Sequence, residues 1–528
     1  MELATNRRRY SPRLKPLAAC LAAALALGAG SVAADPNATS ARLQAQDLPL
    51  VSTLNGQRPA PWRRQTPVLP ISQMHHPVPM GKPTLPANTI AVTNCDDDGA
   101  GSLRDALQNV AVDGDTIDLT NLSCSTITLT TGSILFFQNS ITLQGPGAND
   151  LYLDGGGGAT RVAPLLHAGT GTLEVNGMTV FDGAKYNTDA QVVDARGGCI
   201  YSAGFVSMSD AEVKYCTVQN TSATYGSLGG GIYAKSGISL SNTSILSNSA
   251  YATTNNARGG GIFTPGNVTL LDSFVEGNTA YRGGGVRAQD GGIVKYSQIS
   301  NNEAYSSGGI YIEGNAVIQN STISGNTAAF GAGMWLNGTG ATTPITLLDS
   351  TVSGNNATAS DNGGIFLYGG GYTARIANST IAFNTTHFST YLKYGAGLRS
   401  IATTIDLESN IIAGNTNDSG GGPVNDDVDG SDTVELTGAN NLIGVASISP
   451  PADTISADPK LLPLANNGGT TSTHSLSLIS PAIDAGNNNA GTSADQRGAG
   501  FPRTLGAQTD IGAIEVDTSD IIFRNGFD

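Results

Sequence analysis

The chain has 528 residues, a formal net charge of −15, 68 glycines and only 13% charged residues. That acidity argues against nucleic acid and anionic membrane surfaces as partners. Runs of Leu, Glu, Lys and Ala that would make long helices are absent, so short β-segments joined by Gly and Asn turns are the natural reading.

In chain order, the first segment is a targeting sequence. Arg7, Arg8, Arg9, Arg13 and Lys15 precede an apolar run from Leu17 to Gly28, and Val32-Ala33-Ala34 offers a small-residue cleavage site before Asp35. Residues 1–34 are read as a signal peptide, and Cys20 stands too early in the apolar run to suit lipid attachment. Their removal takes away five positive charges and one negative, leaving about −19. Cys95, Cys124, Cys199 and Cys216 remain, and the expected disulfides are Cys95–Cys124 and Cys199–Cys216. No second apolar span follows, so no transmembrane helix is expected in the mature chain.

Residues 35–87 form a Pro-rich linker read as disordered, with 10 of the 23 prolines between 35 and 86. Trp62, Arg63-Arg64 and His75-His76 fall in it, the His pair as part of a solvated tail. Residues 88–125 are read as an N-terminal cap and first strand, with Ile90-Ala91-Val92 extended. A helix is expected from Gly101 to Leu107 onward: Ser102 is its N-cap, Asp105 stands three residues later, and Leu103, Ala106, Leu107 and Val110 share a face. Such a helix would cover the open end of a stacked core.

Residues 126–425 carry the repeats. One unit is Gly-Gly-Gly-apolar-aromatic, from Gly229 to Tyr233 and from Gly259 to Phe263, with variants at Gly283, Gly308, Gly331, Gly363 and Gly395. The other is an apolar residue followed three positions later by Asn: Asn248, Asn278, Asn302, Asn326, Asn355, Asn384 and Asn415. These Asn are 30, 24, 24, 29, 29 and 31 residues apart. Alternating pairs such as Ile238 and Leu240, or Ile405 and Leu407, put apolar side chains on one face of a strand. No unit could bury that face alone, but a stack of them could. An all-β, right-handed parallel β-helix is expected, about twelve coils long at ~4.8 Å each. The Asn column is given the structural work of an amide ladder.

Several segments resemble known families. The Gly-Gly-Gly-Ile and Ser-Thr-Ile-Ser-Gly-Asn units resemble repeats of polymorphic outer-membrane proteins and other pectate-lyase-like β-helices. Asp98-Gly99-Ala100-Gly101-Ser102-Leu103-Arg104 is similar to the Gly-Ser-Leu-Arg opening of many exported β-helix proteins. Residues 426–516 resemble a choice-of-anchor Q domain through Asn441-Leu442-Ile443-Gly444, Asp458-Pro459-Lys460-Leu461, Asn467-Gly468-Gly469, the stretch from Ser480 to Gly486, Asp495-Gln496-Arg497-Gly498 and Asp510-Ile511-Gly512-Ala513. These resemblances imply an extracellular or surface β-helix and no particular activity. The tail, residues 517–528, resembles short sorting tails of Gram-negative exported proteins, and no translocator barrel is expected after it.

Candidate chemistry is sparse. Polygalacturonase-type sites combine several acidic and His segments, of which only Asn187-Thr188-Asp189 is present. His167, His387 and His474 stand far apart in the sequence, and no catalytic residue is assigned. A lyase would need a basic residue with acids, and Arg287, Asp290 and Glu313 are the candidates that could converge. No cofactor is required. The loop with Asp427, Asp429 and Asp432 is the candidate for calcium, although an EF-hand would place an acid where Leu436 stands.

The strongest candidate is a column. In each Gly-Gly unit the residue after the inward aliphatic points outward: Tyr201, Tyr233, Phe263, Arg287, Tyr311, Trp335, Phe366 and Arg399. An exposed stripe of ring faces and guanidinium groups suits sugar rings and acidic glycans. The reading is an adhesin-like, monomeric binding protein, extracellular or on the outer-membrane surface of a Gram-negative bacterium, that recognises a glycan or another surface partner. The alternative is a polysaccharide lyase or hydrolase acting on acidic glycans.

Overall fold

The computed structural model describes residues 88–156, 161–188, 193–359, 362–387, 395–401, 404–418, 421–431 and 433–517. The signal-peptide and linker readings, Asp189, Asp432 and nearly all of the tail lie outside them.

Period-two alternation sets the coil. From residue 232, the strands Ile232–Ala234 (sheet 1), Gly237–Ser241 (sheet 2), Ser244–Leu246 (sheet 3) and Ser249–Ala252 (sheet 4) follow one another. A short strand Ala257–Arg258 at the fringe of sheet 4 then leads to Ile262–Thr264, back in sheet 1. Equivalent residues pair in parallel one coil apart: Ile232 beside Ile262, Ile238 beside Val268, Ile245 beside Val275. Among the described residues, sheets 1 to 4 hold 11, 13, 12 and 13 strands. The chain is an all-β, right-handed parallel β-helix. Its inward Ile, Val and Leu side chains form one continuous core along the stack.

Single residues turn the corners. Between sheets 2 and 3, Asn242, Asp272, Tyr296, Asn320, Asp349 and Asn378 all stand at positive φ, a conformation that Asn and Asp bear better than other non-glycine residues. Two buried ladders run beside the corners. In the Asn column, each Oδ1 from Asn278 to Asn415 accepts both the backbone N–H and the Nδ2 of the Asn one coil earlier. The column starts at Cys216, whose N–H goes to Asn248, and ends on Asp427. A second ladder of hydroxyls, Ser273, Ser297, Ser321, Ser350 and Ser379, does the same work one corner away. It was not foreseen, because Ser is too common in this chain to stand out.

Both expected disulfides are present. Cys95–Cys124 ties the N-terminal cap to the first coil, and Cys199–Cys216 closes a loop within the core. The cap helix is shorter than expected: Leu103–Asp105 is α-helical and Ala106–Val110 is a π-turn. Ser102 accepts from the Asp105 N–H as the N-cap. Leu103, Ala106 and Leu107 are buried, but the wider π-turn swings Val110 out to 52% exposure. Arg104 locks the cap down, bonding Asp97 at 2.6 Å and the carbonyls of Gly132 and Ser133. Burial opposes the charge on Asp97, yet Arg104 and the N–H groups of Thr130 and Thr131 hold its carboxyl well below the usual range.

The C-terminal region first adds one coil to the stack, with Val428–Gly430 in sheet 1, Leu436–Ala439 in sheet 2 and Leu442–Ile443 in sheet 3, before its remainder leaves it. That remainder folds back along the outer face of sheet 3, whose Thr322, Ser324, Thr351, Ser353 and Thr380 are buried on that side. Gln496 bonds Thr322 and Thr351, His474 bonds Ser353, and the Ala513 N–H reaches Thr380. No described helix is long and apolar enough to cross a membrane.

Candidate functional site

The outward column forms an uninterrupted register. Tyr201 pairs with Tyr233, then Phe263, Arg287, Tyr311, Trp335, Phe366 and Arg399 follow, one per coil. Its environment differs from the expected exposed stripe. Tyr233, Phe263, Arg287 and Phe366 are buried, at 2–4% exposure, while Tyr201, Tyr311, Trp335 and Arg399 are half-buried.

The glycine turn is the cause. Gly259 stands at φ +65°, and a Cβ there would lie 2.2 Å from the Ile262 carbonyl oxygen. Only glycine allows so tight a fold. The turn brings the fringe strand of sheet 4 against the outer face of sheet 1, so that Leu228 packs on Tyr233 and Phe263. The rings then stack along the rod: Tyr201 on Tyr233 at 5.5 Å, Tyr233 on Phe263 at 5.8 Å, and Tyr311 on Trp335 at 5.3 Å. Arg287 lies 3.7 Å over the Tyr311 ring. Ring faces therefore meet neighbouring side chains. Flat stacking of sugars on Tyr233 or Phe263 is thus blocked.

The fringe strands supply residues that the repeat pattern did not single out. Arg196 pairs with Leu228, Leu228 with Arg258, and Arg258 with Arg282, forming a second column that faces the first. Arg196 sits 5.2 Å over Tyr233 and pairs with Asp194 at 3.4 Å. Arg287 pairs with Glu313 at 2.6 Å. The signal was present: Arg196, Arg258 and Arg282 each directly precede the turn glycine.

Of the proposed lyase residues, Arg287 and Glu313 come together, while Asp290 sits exposed in the following turn. His167 and His474 are scaffold. His167 is buried between Gln138 and Ser202, donating from Nε2 to the Gln138 carbonyl and accepting the Ser202 hydroxyl at Nδ1. Burial lowers its pKa and that of His474. His387 is exposed and apart from both.

Of the calcium candidates, Asp432 lies outside the described residues, and Asp427 is engaged within the fold. That carboxylate is fully buried; Oδ1 accepts from the Asn415 N–H and Nδ2, and Oδ2 from the Val445 N–H at 2.9 Å. It terminates the Asn ladder, and burial pushes its pKa up. Asp429 accepts from the Ser447 hydroxyl. Among the described residues, no three or more His, Cys, Asp or Glu converge to hold a metal. A cleft of about 680 Å³ lies where the last coils meet the C-terminal region, lined by Phe383, Asp458, Lys460 and Leu461 among others. Its charged groups, Asp458 and Lys460, pair with each other at 2.8 Å.

A search of curated proteins finds no match. Among solved structures, the crystal structure of the pectate lyase Pel9A is similar at a TM-score of 0.38 and 13% identity, covering 82% of this chain and 98% of that one. A likeness of that degree carries no argument about activity. Residues 198–381, the stretch that holds most of both facing columns, match the family model of a right-handed β-helix region.

Proposed function

We propose that this chain is an exported β-helix that works by binding, an adhesin-like rod whose sheet 1–sheet 4 corner docks an extracellular glycan. The observation that carries the reading is the unbroken eight-residue register from Tyr201 to Arg399. Four of its members, Tyr201, Tyr311, Trp335 and Arg399, stay half-exposed along one line, a row suited to a polymer, where several weak contacts add through avidity. The N-terminal signal pattern, the Gly-Ser-Leu-Arg opening and the anchor-like motifs of residues 426–516 support a place outside the cell or on the outer membrane of a Gram-negative bacterium. Trp335 is the most informative position, because its Nε1 is buried without a partner while the residue is half-exposed.

Trp335→Phe keeps a stacking ring and removes that N–H. Together with Tyr311→Phe it should weaken retention on a polysaccharide column while the melting temperature falls only slightly. Unchanged retention across a panel of columns would assign the corner to scaffold and overturn the reading.

A further inference from the structure

The corner carries positive charge that its surroundings do not balance. Arg258, Arg282 and Arg287 lie on neighbouring coils of a chain whose net charge is −15. Glu313 pairs with Arg287, but Arg258 and Arg282 make no ion pair with any described residue. Burial, followed by the nearby Arg287 and Arg282, pushes the Arg258 pKa below the usual guanidinium range. The donors are also unspent. Among the described residues, seven buried side-chain nitrogens lack a hydrogen-bond partner, and four of them line this corner: Nε of Arg196, Arg258 and Arg287, and Nε1 of Trp335. A buried donor without an acceptor is costly, so four of them here mark a corner where the fold holds cationic N–H groups in excess of its own acceptors.

We propose that the corner is a binding site for an oxyanion carried on a sugar, a uronate carboxylate or a sulfate ester, held chiefly by Arg258, Arg282 and Arg287. This deepens the glycan-binding reading and rests on it. A planar guanidinium presents paired N–H groups that match carboxylate and sulfate oxygens, and an anion between like charges relieves their repulsion. Half-buried Tyr311, one coil on from Arg287, adds aromatic surface beside the arginines for the apolar parts of the sugar.

The test is calorimetric titration of the full chain with an oligogalacturonate, a sulfated oligosaccharide, an uncharged maltooligosaccharide and sodium sulfate. At least one anionic oligosaccharide should bind more tightly than both the uncharged one and sulfate alone. Arg258→Gln with Arg282→Gln should weaken it by about tenfold or more and flatten its salt dependence, whereas Lys295→Gln on sheet 2 leaves it unchanged. The melting temperature of the double variant should equal or exceed that of the parent, because repulsion is removed. Arg282→Gln alone, at an exposed position, gives the same comparison if the double variant fails to fold. Equal binding of charged and uncharged sugars, unaffected by the Arg variants, would overturn this inference and leave the glycan reading standing. Sulfate binding as tight as the oligosaccharides would reduce the site to a plain anion site. Binding of no sugar at all would remove the glycan reading itself.

Discussion

Asn355 Oδ1 receives two hydrogen bonds from Asn326, one from its backbone N–H at 3.0 Å and one from its Nδ2 at 2.9 Å. Asn326 in turn receives the same pair from Asn302 and donates to the Ile299 carbonyl. Each rung thus satisfies buried backbone that no strand reaches. Asn326→Leu should lower stability by about 3 kcal/mol, because several buried groups lose partners at once. Circular dichroism should keep its β-signature, and denaturant unfolding reads the loss; a change below about 0.5 kcal/mol would mean the rungs are dispensable.

Much of this fold was legible in the sequence for a local reason. Period-two Ile and Val, a repeating Asn and a glycine triplet each dictate their own geometry, so the coil, the ladder and the turn could be read residue by residue. The burial of Tyr233 and Phe263 could not. It depends on Leu228, distant in register although close in sequence, folding over sheet 1 once Gly229 turns. The position of the C-terminal region was hidden for a similar reason: the partners Gln496 and Thr322 are 174 residues apart and neither is apolar. Among the site residues, the column was legible and its arginine neighbours were overlooked, since one Arg before a glycine has no period of its own.

The two disulfides close loops of 29 and 17 residues. Each should stabilise the chain by about 3 kcal/mol through the unfolded state. Cys95→Ser with Cys124→Ser should loosen the N-terminal cap first, read as faster proteolysis near Leu103. Mass mapping under non-reducing conditions that finds free thiols would contradict both bonds.

Asp349 makes the attachment of the C-terminal region sensitive to pH. It is fully buried; Oδ1 accepts from Asn378 and Thr492, and Oδ2 has no partner. Burial, opposed in part by Arg503, pushes its pKa up to about 6 from the ordinary 3.8. The folded state therefore holds this proton more tightly than the unfolded chain. The stabilisation is complete below the ordinary value and is lost as pH rises through about 6, a difference of about 3 kcal/mol. Glu515, pushed up to about 8 chiefly by burial, acts in the same direction. The C-terminal region should resist limited proteolysis better at pH 5 than at pH 8, and Asp349→Asn should flatten the difference. Stability that rises between these pH values would contradict the assignment.

Arg503 should be intolerant of substitution. Its side chain is fully buried, donates to the Asp510 carbonyl at 2.5 Å and lies 3.7 Å from Glu515. Arg503→Met would push the carboxyls of Asp510 and Glu515 further up and leave the buried Asp510 carbonyl without its donor, at a cost of about 1–3 kcal/mol. The C-terminal region should then unfold in a separate transition at lower temperature by calorimetry, while the β-helix transition stays near its original position.

Hydrogen–deuterium exchange of the full chain, with and without the tightest-binding oligosaccharide, most directly tests the claim that the rod binds through its sheet 1–sheet 4 corner. Protection should concentrate in residues 257–264, 281–288, 305–313 and 332–337, which carry Arg258, Arg282, Arg287, Tyr311 and Trp335. Protection confined to sheet 2, or to the cleft beside Asp458 and Lys460, would place the ligand elsewhere and contradict it.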